Sequence, residues 1–181
     1  TPAPLSPKLA AAERATILGT MEPICFVAEQ DLPAPGNAPA ASPSPLHIAA
    51  SWKACTSGGS TGRPKVIVDG RAAGFAAATE FIAIPQDSRI LVPGPLYHNA
   101  PFSAAVFGLW RGNCVVTMPR FDASEALDLI AAEKCVWAIM VPTMLHRIMA
   151  LPLDQREEVD LSAWGCVVHT AAPMALWLKQ A

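Results

Sequence analysis

From about residue 89 onward, short apolar runs alternate with segments that carry the spacing and capping signals of helices. Two of the runs, Val136–Val141 and Gly165–His169, lack a period-two alternation, which is typical of parallel strands buried on both faces. Alternating strands and helices favour an α/β fold with parallel pairing. The sequence predicts strands at Arg89–Val92, Asn113–Met118, Val136–Val141 and Gly165–His169, and helices at Asn99–Trp110, Asp122–Lys134, Pro142–Leu151 and from Pro173 onward.

The region before residue 48 has a different character. A serine N-cap at Ser6, a proline in the first turn and a glycine stop predict a helix over Lys8–Gly19. An apolar run at Ile24–Ala28 predicts a short strand. Prolines crowd the segment Asp31–Pro45 and exclude a helix or a central strand there. We therefore expect a leading helix and strand over 1–30, a proline-rich loop over 31–47, and an α/β core over 48–181.

The start of that core contains a predicted hairpin. Ser51–Ser57 and Lys65–Asp69 are predicted strands that can pair as neighbours across the glycine-rich turn Gly58–Pro64. The alanine-rich segment Arg71–Ile84 predicts a helix. The last helix stops at Ala181 with no strand after it, so we expect a core truncated at its C-terminal end.

Composition limits the classes of protein that fit. The chain has 181 residues, of which 52% are hydrophobic and 15% charged, and its net charge is −2. The absence of a Lys/Arg run makes nucleic acid an improbable partner, and the apolar stretches are too short for a transmembrane segment. So few charges predict exposed apolar surface, and hence self-association.

The cysteines indicate a reducing compartment. They are far apart in sequence and form no Cys-x-x-Cys pair, which argues against a disulfide framework or a zinc site and favours a cytoplasmic protein. The cysteines are Cys25, Cys55, Cys114, Cys135 and Cys166.

The segment Thr56–Lys65, T-S-G-G-S-T-G-R-P-K, carries the clearest chemical signal. Its glycines let the backbone turn and present N–H groups, its hydroxyls add donors, and Lys65 adds a cation, all of which suit a polyphosphate. A plain Gly/Ser turn is the alternative interpretation. It is not a P-loop, because Val66 rather than Ser or Thr follows Lys65.

Three segments together resemble the adenylate-forming (AMP-binding) enzymes, which include acyl-CoA synthetases, luciferases and the adenylation domains of peptide synthetases. Ser57–Lys65 resembles the phosphate-binding signature of that superfamily. Pro95–Asn99, P-L-Y-H-N, is similar to the P-L-[FY]-H segment of its acyl- and aryl-CoA ligases, and His169–Pro173, H-T-A-A-P, to its adenine-contacting G-G-A-P turn. The resemblance runs from Ser6 to Ala181 and implies part of the large N-terminal domain of an acyl-CoA synthetase-like fold.

The resemblance also implies a reaction. A small-molecule carboxylic or fatty acid attacks ATP in the presence of Mg²⁺, giving an acyl-adenylate and pyrophosphate, and the thiol of coenzyme A then displaces AMP. It implies catalytic roles for Lys65, His98 and Thr61, with Thr61 also near the metal. The nucleotide-binding residues it implies are Thr56, Ser57, Gly58, Gly59, Ser60, Thr61, Gly62, Lys65, His169, Ala171, Ala172 and Pro173.

The departures from the family pattern define the alternatives. Ala171 replaces a common glycine, and no Y-G-x-T-E segment, whose Glu helps hold Mg²⁺ in the family, occurs in the chain. We expect an acyl-CoA synthetase fragment that is inactive by itself. An aryl-CoA ligase or another adenylating enzyme is one alternative, and a non-catalytic nucleotide-binding or structural remnant is the other.

Overall fold

The computed structural model describes residues 1–31, 48–57, 65–76 and 79–180. The chain forms two compact units, Thr1–Gly74 and Phe75–Ala181. The strands are β1 Ala54–Ser57, β2 Lys65–Val68, β3 Arg89–Val92, β4 Cys114–Thr117, β5 Trp137–Met140 and β6 Cys166–His169. The helices are α1 Ala11–Met21, α2 Asn99–Trp110, α3 Ala123–Ala132, α4 Pro142–Met149, α5 Leu153–Glu157 and α6 Leu176–Gln180, with a 3₁₀ turn at Glu29–Asp31.

The second unit is built on a parallel sheet of four strands in the order β4-β3-β5-β6. Ile90 of β3 lies between Val115 of β4 and Trp137 of β5, so β3 is paired along both edges. β5 in turn pairs with β6. This arrangement confirms the predicted parallel α/β fold.

Helices cover both faces of this sheet. On one face α2 packs so closely that an added Cβ at Gly108 would lie 2.4 Å from the Ile90 side chain. On the other face Leu91, Ala138 and Met140 join residues of α3 in one buried core cluster. Because side chains alternate along a strand, β3 and β5 contribute to both faces, and this accounts for their uninterrupted apolar sequences.

Local signals explain where several helices begin. The Asp122 carboxylate accepts hydrogen bonds from the backbone N–H groups of Ser124 and Glu125, at 3.0 and 3.1 Å, and caps α3. α4 begins at Pro142, where a missing N–H costs no helical hydrogen bond. α2 has the bounds that the sequence predicts.

The first unit contains α1 and the predicted hairpin. β1 and β2 pair antiparallel, with Ala54 opposite Val68 and Ser57 opposite Lys65. Backbone hydrogen bonds prolong the pairing beyond the strands, from Trp52 N–H to the Arg71 carbonyl at 3.1 Å. The pairing across the turn is therefore confirmed, although both strands are shorter than predicted.

The predicted helix over Arg71–Ile84 is wrong. The described residues in this segment, 71–76 and 79–84, are irregular. The Arg71 carbonyl pairs with the segment before β1, and Ile82 and Ala83 have positive φ angles of 39° and 54°. Tertiary pairing thus overrides the helix propensity of the alanines.

The predictions near the N-terminus are also corrected. The helix predicted over Lys8–Gly19 is α1, which begins later because the Ser6 hydroxyl accepts a hydrogen bond from the Lys8 N–H in a separate turn. Ile24–Ala28 is not a strand: Ile24 and Phe26 are exposed and the segment joins no sheet. The proline-rich stretch 32–47 lies outside the described residues.

The C-terminal end differs slightly from the prediction as well. α5 was not predicted from the sequence, and α6 begins at Leu176 rather than at Pro173. In the part of the chain that the structure describes, no helix has the length and apolar character needed to cross a membrane.

The tight packing of α2 gives a first prediction. Gly108→Ala places a methyl group against Ile90 and, at 3.1 Å, against Val115, so we expect destabilisation by about 1–3 kcal/mol in urea unfolding. Gly19→Ala is the matched control, because Gly19 lies in α1 with nothing within 4 Å of the added Cβ. This variant should raise the free energy of unfolding by about 0.5–1 kcal/mol. Equal effects from the two variants would contradict the packing argument.

Candidate functional site

A cavity of about 550 Å³ opens at the carboxyl ends of the strands in the second unit. Residues from three parts of the chain line it: the segment 94–101 after β3, the segment 139–144 at the end of β5 and the start of α4, and Thr170 with Ala171 after β6. Its size falls within the range of small-molecule sites in proteins.

The sheet topology explains why the cavity forms there. From β3 the chain passes through α2 to β4 on one side, and then returns through α3 to β5 on the other side. Connections that leave β3 and β5 in opposite directions open a crevice beyond their carboxyl ends, and such switch points are where α/β sheets bind ligands.

His98 lies at the mouth of this cavity. It is the N-cap residue of α2, with φ −88° and ψ 145°, yet its imidazole makes no capping hydrogen bond. Its backbone N–H donates to the Pro95 carbonyl at 3.0 Å, and its ring centroid is 4.6 Å from that of Tyr97. The exposed imidazole is thus placed beside the helix end that carries partial positive charge.

The turn after β6 forms another part of the cavity wall. The Thr170 N–H donates to the Met140 carbonyl at 3.3 Å, which ties this turn to the end of β5. Ala171 follows with φ 72°, a left-handed conformation that favours glycine. Ala172 and Pro173 are exposed residues of the same turn.

His169 faces elsewhere. Its side chain lines a second cavity of about 430 Å³, together with Leu145 and Ile148 of α4 and Leu178 of α6. Its Nδ1 is buried and has no hydrogen-bond partner among the described residues. The structure therefore brings His98 and Ala171 to one cavity and puts His169 in another.

The other predicted site residues belong to the first unit. Thr56 and Ser57 end β1, and the exposed Lys65 begins β2 directly opposite Ser57. The hairpin register thus holds both ends of the glycine-rich turn side by side. The turn residues Gly58, Gly59, Ser60, Thr61 and Gly62 lie outside the described residues.

A charge cluster fixes the opposite end of this hairpin. Arg71 donates two side-chain hydrogen bonds to the Asp69 carboxylate, each 2.9 Å long, and Lys53 Nζ lies 4.0 Å from that carboxylate. The Arg71 hydrogen bonds hold the pKa of Asp69 well below its usual range, while burial lowers the pKa of Lys53. The cluster is thus a structural clasp for the hairpin.

Sequence reasoning did not single out several cavity residues. Gly94 and Thr170 lie within or beside the recognised motifs, and Met144 lies in the first turn of α4. Their common signal is position, because each follows the carboxyl end of a parallel strand. These residues can be recognised from their positions only when the order of the strands in the sheet is known, and the periodicity of the sequence does not give that order.

Comparison with known proteins assigns the family. The model of the AMP-binding enzyme family matches residues 1–180. The chain belongs to the AMP-binding enzyme family. The matched residues include all three motifs and most of both units of the chain.

Individual members of the family resemble parts of the chain. Long-chain-fatty-acid–CoA ligase FadD13 of Mycobacterium tuberculosis is 29% identical over 119 residues, which cover 64% of this chain and 23% of that protein. The 2-succinylbenzoate–CoA ligase of Arabidopsis thaliana is 34% identical over 94 residues, covering 50% of this chain and 17% of that protein. This member of the AMP-binding family thus spans less than a quarter of the length of these relatives.

A solved structure shows the same architecture. The inhibitor-bound N-terminal domain of FACL13 from Mycobacterium tuberculosis superposes with a TM-score of 0.65 at 25% identity. The match covers 77% of this chain and 35% of that domain. The α/β arrangement described above is therefore part of the N-terminal-domain fold found in acyl-CoA synthetases.

The conformation of Ala171 gives a second prediction. A left-handed φ costs an L-residue about 1–2 kcal/mol, and glycine avoids that cost. Glycine also gives the unfolded chain more conformational entropy, which offsets part of the stabilisation. Ala171→Gly should therefore raise the free energy of unfolding by about 0.5–1 kcal/mol. Ala131→Gly, inside α3, is the control and should lower it by about 1 kcal/mol. A destabilised Ala171→Gly variant would contradict the strain argument.

Proposed function

We propose that this AMP-binding family member forms the adenylate site of an acyl-CoA ligase. The observation that carries the proposal is the shared cavity: His98 of the second motif and Ala171 of the third line one crevice at the switch point of the sheet. A structural remnant has no reason to keep two ligand-type motifs on one cavity at that position.

The proposed reaction has two steps. A carboxylate oxygen of the acid attacks the α-phosphorus of ATP, a new P–O bond forms, and the bond to pyrophosphate breaks. In the second step the sulfur of coenzyme A attacks the acyl carbon, the C–O bond to AMP breaks, and the thiol proton is lost to solvent. Both steps concentrate negative charge on oxygen, so positioning and cationic groups provide the catalysis.

Each side of the cavity has a proposed task. The turn containing Ala171, Ala172 and Pro173 packs against adenine. His98 and the positive end of α2 lie near the reacting carboxylate and α-phosphate. Met140 and Met144 offer the apolar surface that an acyl chain requires.

The proposed task of the hairpin in the first unit is to hold the β- and γ-phosphates. Lys65 supplies the cation, while Thr56, Ser57 and the turn that follows supply hydrogen-bond donors. His169 is proposed only as a support for the adenine turn, because its ring lines the second cavity.

The proposed magnesium ion enters with ATP. Within the described residues, His, Cys, Asp and Glu form no group of three or more that could hold a metal ion. The role of Thr61 at the metal stays a prediction, because Thr61 lies outside the described residues. The cytoplasmic location, the self-association and the inactivity of these residues alone stay predictions too.

An aromatic acid is the second candidate substrate. The 34% identity to a 2-succinylbenzoate–CoA ligase favours it, although over a shorter stretch than the match to the fatty-acid ligase. Competition against AMP binding by dodecanoyl-sulfamoyl-adenosine and by its benzoyl counterpart separates the two candidates. The tighter analogue identifies the class of acid.

The phosphate role of Lys65 gives the third prediction. Loss of a charge-assisted hydrogen bond to the outer phosphates should weaken ATP binding about tenfold or more in Lys65→Ala. AMP lacks those phosphates, so its affinity should not change. Isothermal titration calorimetry of the 181-residue chain measures the affinity for each nucleotide, and hence the ratio of the ATP affinity to the AMP affinity.

The control variant is Lys8→Ala, an exposed lysine of the first unit outside the motif. It should leave both affinities unaltered. An equal loss of ATP and AMP affinity in Lys65→Ala would contradict the assignment of Lys65, and failure of the unmodified chain to bind AMP would contradict the proposed site.

A further inference from the structure

The connection between β3 and α2 is closed by a contact between its two ends. An ideal Cβ at Gly94 would lie 2.7 Å from Pro101 Cγ and 3.9 Å from Met144 Cε. Real Cβ atoms essentially never approach another heavy atom to 2.7 Å. The first turn of α2 can therefore rest on this point of the chain only because residue 94 has no side chain.

Backbone strain does not explain this glycine. Among the described residues Gly112 is the glycine with a positive φ, so Gly94 adopts a conformation open to any L-residue. Gly94 is also buried, in the wall of the cavity. Space, rather than conformational freedom, requires a glycine here.

His98 lies between the two ends of this closed connection. The turn from the Pro95 carbonyl to the His98 N–H fixes the approach to the helix. The His98 carbonyl then accepts from the Phe102 N–H at 3.1 Å within the first turn of α2. A shift of Pro101 would move that turn, and the His98 backbone with it.

We propose that Gly94 and Pro101 form a steric clamp that positions His98 over the cavity. The clamp is a positioning device: neither residue supplies a reactive group, and both bound the cavity that His98 serves. Its importance for ligand binding rests on the proposed function, whereas its effect on His98 does not. The clamp is specific to a pair of residues, which makes it testable by rescue.

The pair is tested by a double-mutant cycle in the full chain. Gly94→Ala brings its methyl group against Pro101 Cγ, and Pro101→Ala removes that atom, leaving only the Cβ at 3.5 Å, an ordinary contact. The double variant should therefore recover what Gly94→Ala loses. Gly70→Ala, with nothing within 4 Å of the added Cβ, is the control for a glycine-to-alanine change.

The first readout needs no ligand. The His98 ring lies against Tyr97, so its proton and carbon shifts report on its position in histidine-labelled protein. We expect the His98 signals to shift in Gly94→Ala, where the added methyl group pushes the turn away, and to shift in Pro101→Ala, where the contact that holds the turn is lost. They should return toward their original position in the double variant, because the new methyl group then lies 3.5 Å from the Cβ of residue 101 and restores an ordinary contact. Unshifted signals in a folded Gly94→Ala variant, or shifted signals that Pro101→Ala fails to restore, would overturn the clamp.

The second readout is affinity for dodecanoyl-sulfamoyl-adenosine. Gly94→Ala should weaken this affinity about tenfold, the loss expected if only about a tenth of the molecules adopt the conformation that binds. The affinity of the double variant should lie within about twofold of that of the unmodified chain. If the unmodified chain binds neither this probe nor AMP while the His98 signals follow the predicted cycle, the proposed function fails and the clamp stands. Weak binding that the double variant does not restore overturns the ligand role of the clamp.

If Gly94→Ala does not fold, recovery of a cooperative thermal unfolding transition in the Gly94→Ala/Pro101→Ala double variant becomes the readout. Recovery supports a contact confined to the pair. Loss of folding in both single and double variants overturns it, because the clash would then involve more than Pro101.

Discussion

The parallel pairing of β3 along both of its edges is the constraint on which the second unit depends. Because β3 is bounded by β4 and β5, the chain must leave it on one side and return on the other. The two crossings open a crevice at the carboxyl ends of β3 and β5. The helices that connect the parallel strands cover β3 on both faces, and α2 approaches closely on one of them. The absence of a side chain at Gly108 permits that approach.

Two glycines permit the close contacts of α2. Gly108 lets the last turn of α2 rest on Ile90, and Gly94 lets the first turn of α2 rest on the segment that follows β3. Both contacts fix α2, and α2 in turn carries His98 at its N-terminus. The packing of α2 is thus linked directly to the geometry of the candidate site. Small changes of side-chain volume in these contacts should therefore change the position of His98.

Much of this fold could be predicted from the sequence, because its signals are local. The bounds of α2, the Asp122 cap and the apolar run of β5 all follow from residue type and spacing. The helix predicted over Arg71–Ile84 failed because its backbone pairs with residues distant in sequence. Local propensity contains no information about such a partner.

The candidate site, like the fold, could be predicted from the sequence only in part. The motifs identified His98 and the turn at Ala171, and the strand order brings these residues to one cavity. The orientation of His169 could not be predicted, because it depends on which face of β6 each side chain occupies. The role of Gly94 was equally hidden, since it arises from contact with a helix turn that folds back on it.

Photolabelling with 8-azido-AMP, followed by peptide mapping, tests the central claim most directly, because the cavity beside His98 and the cavity beside His169 have separate walls. The account predicts a label, suppressed by excess AMP, on the turn at Thr170–Pro173 or on residues 94–101. A label protected by AMP on Ile148 or Leu178 of the second cavity, or no label that AMP suppresses, would contradict it.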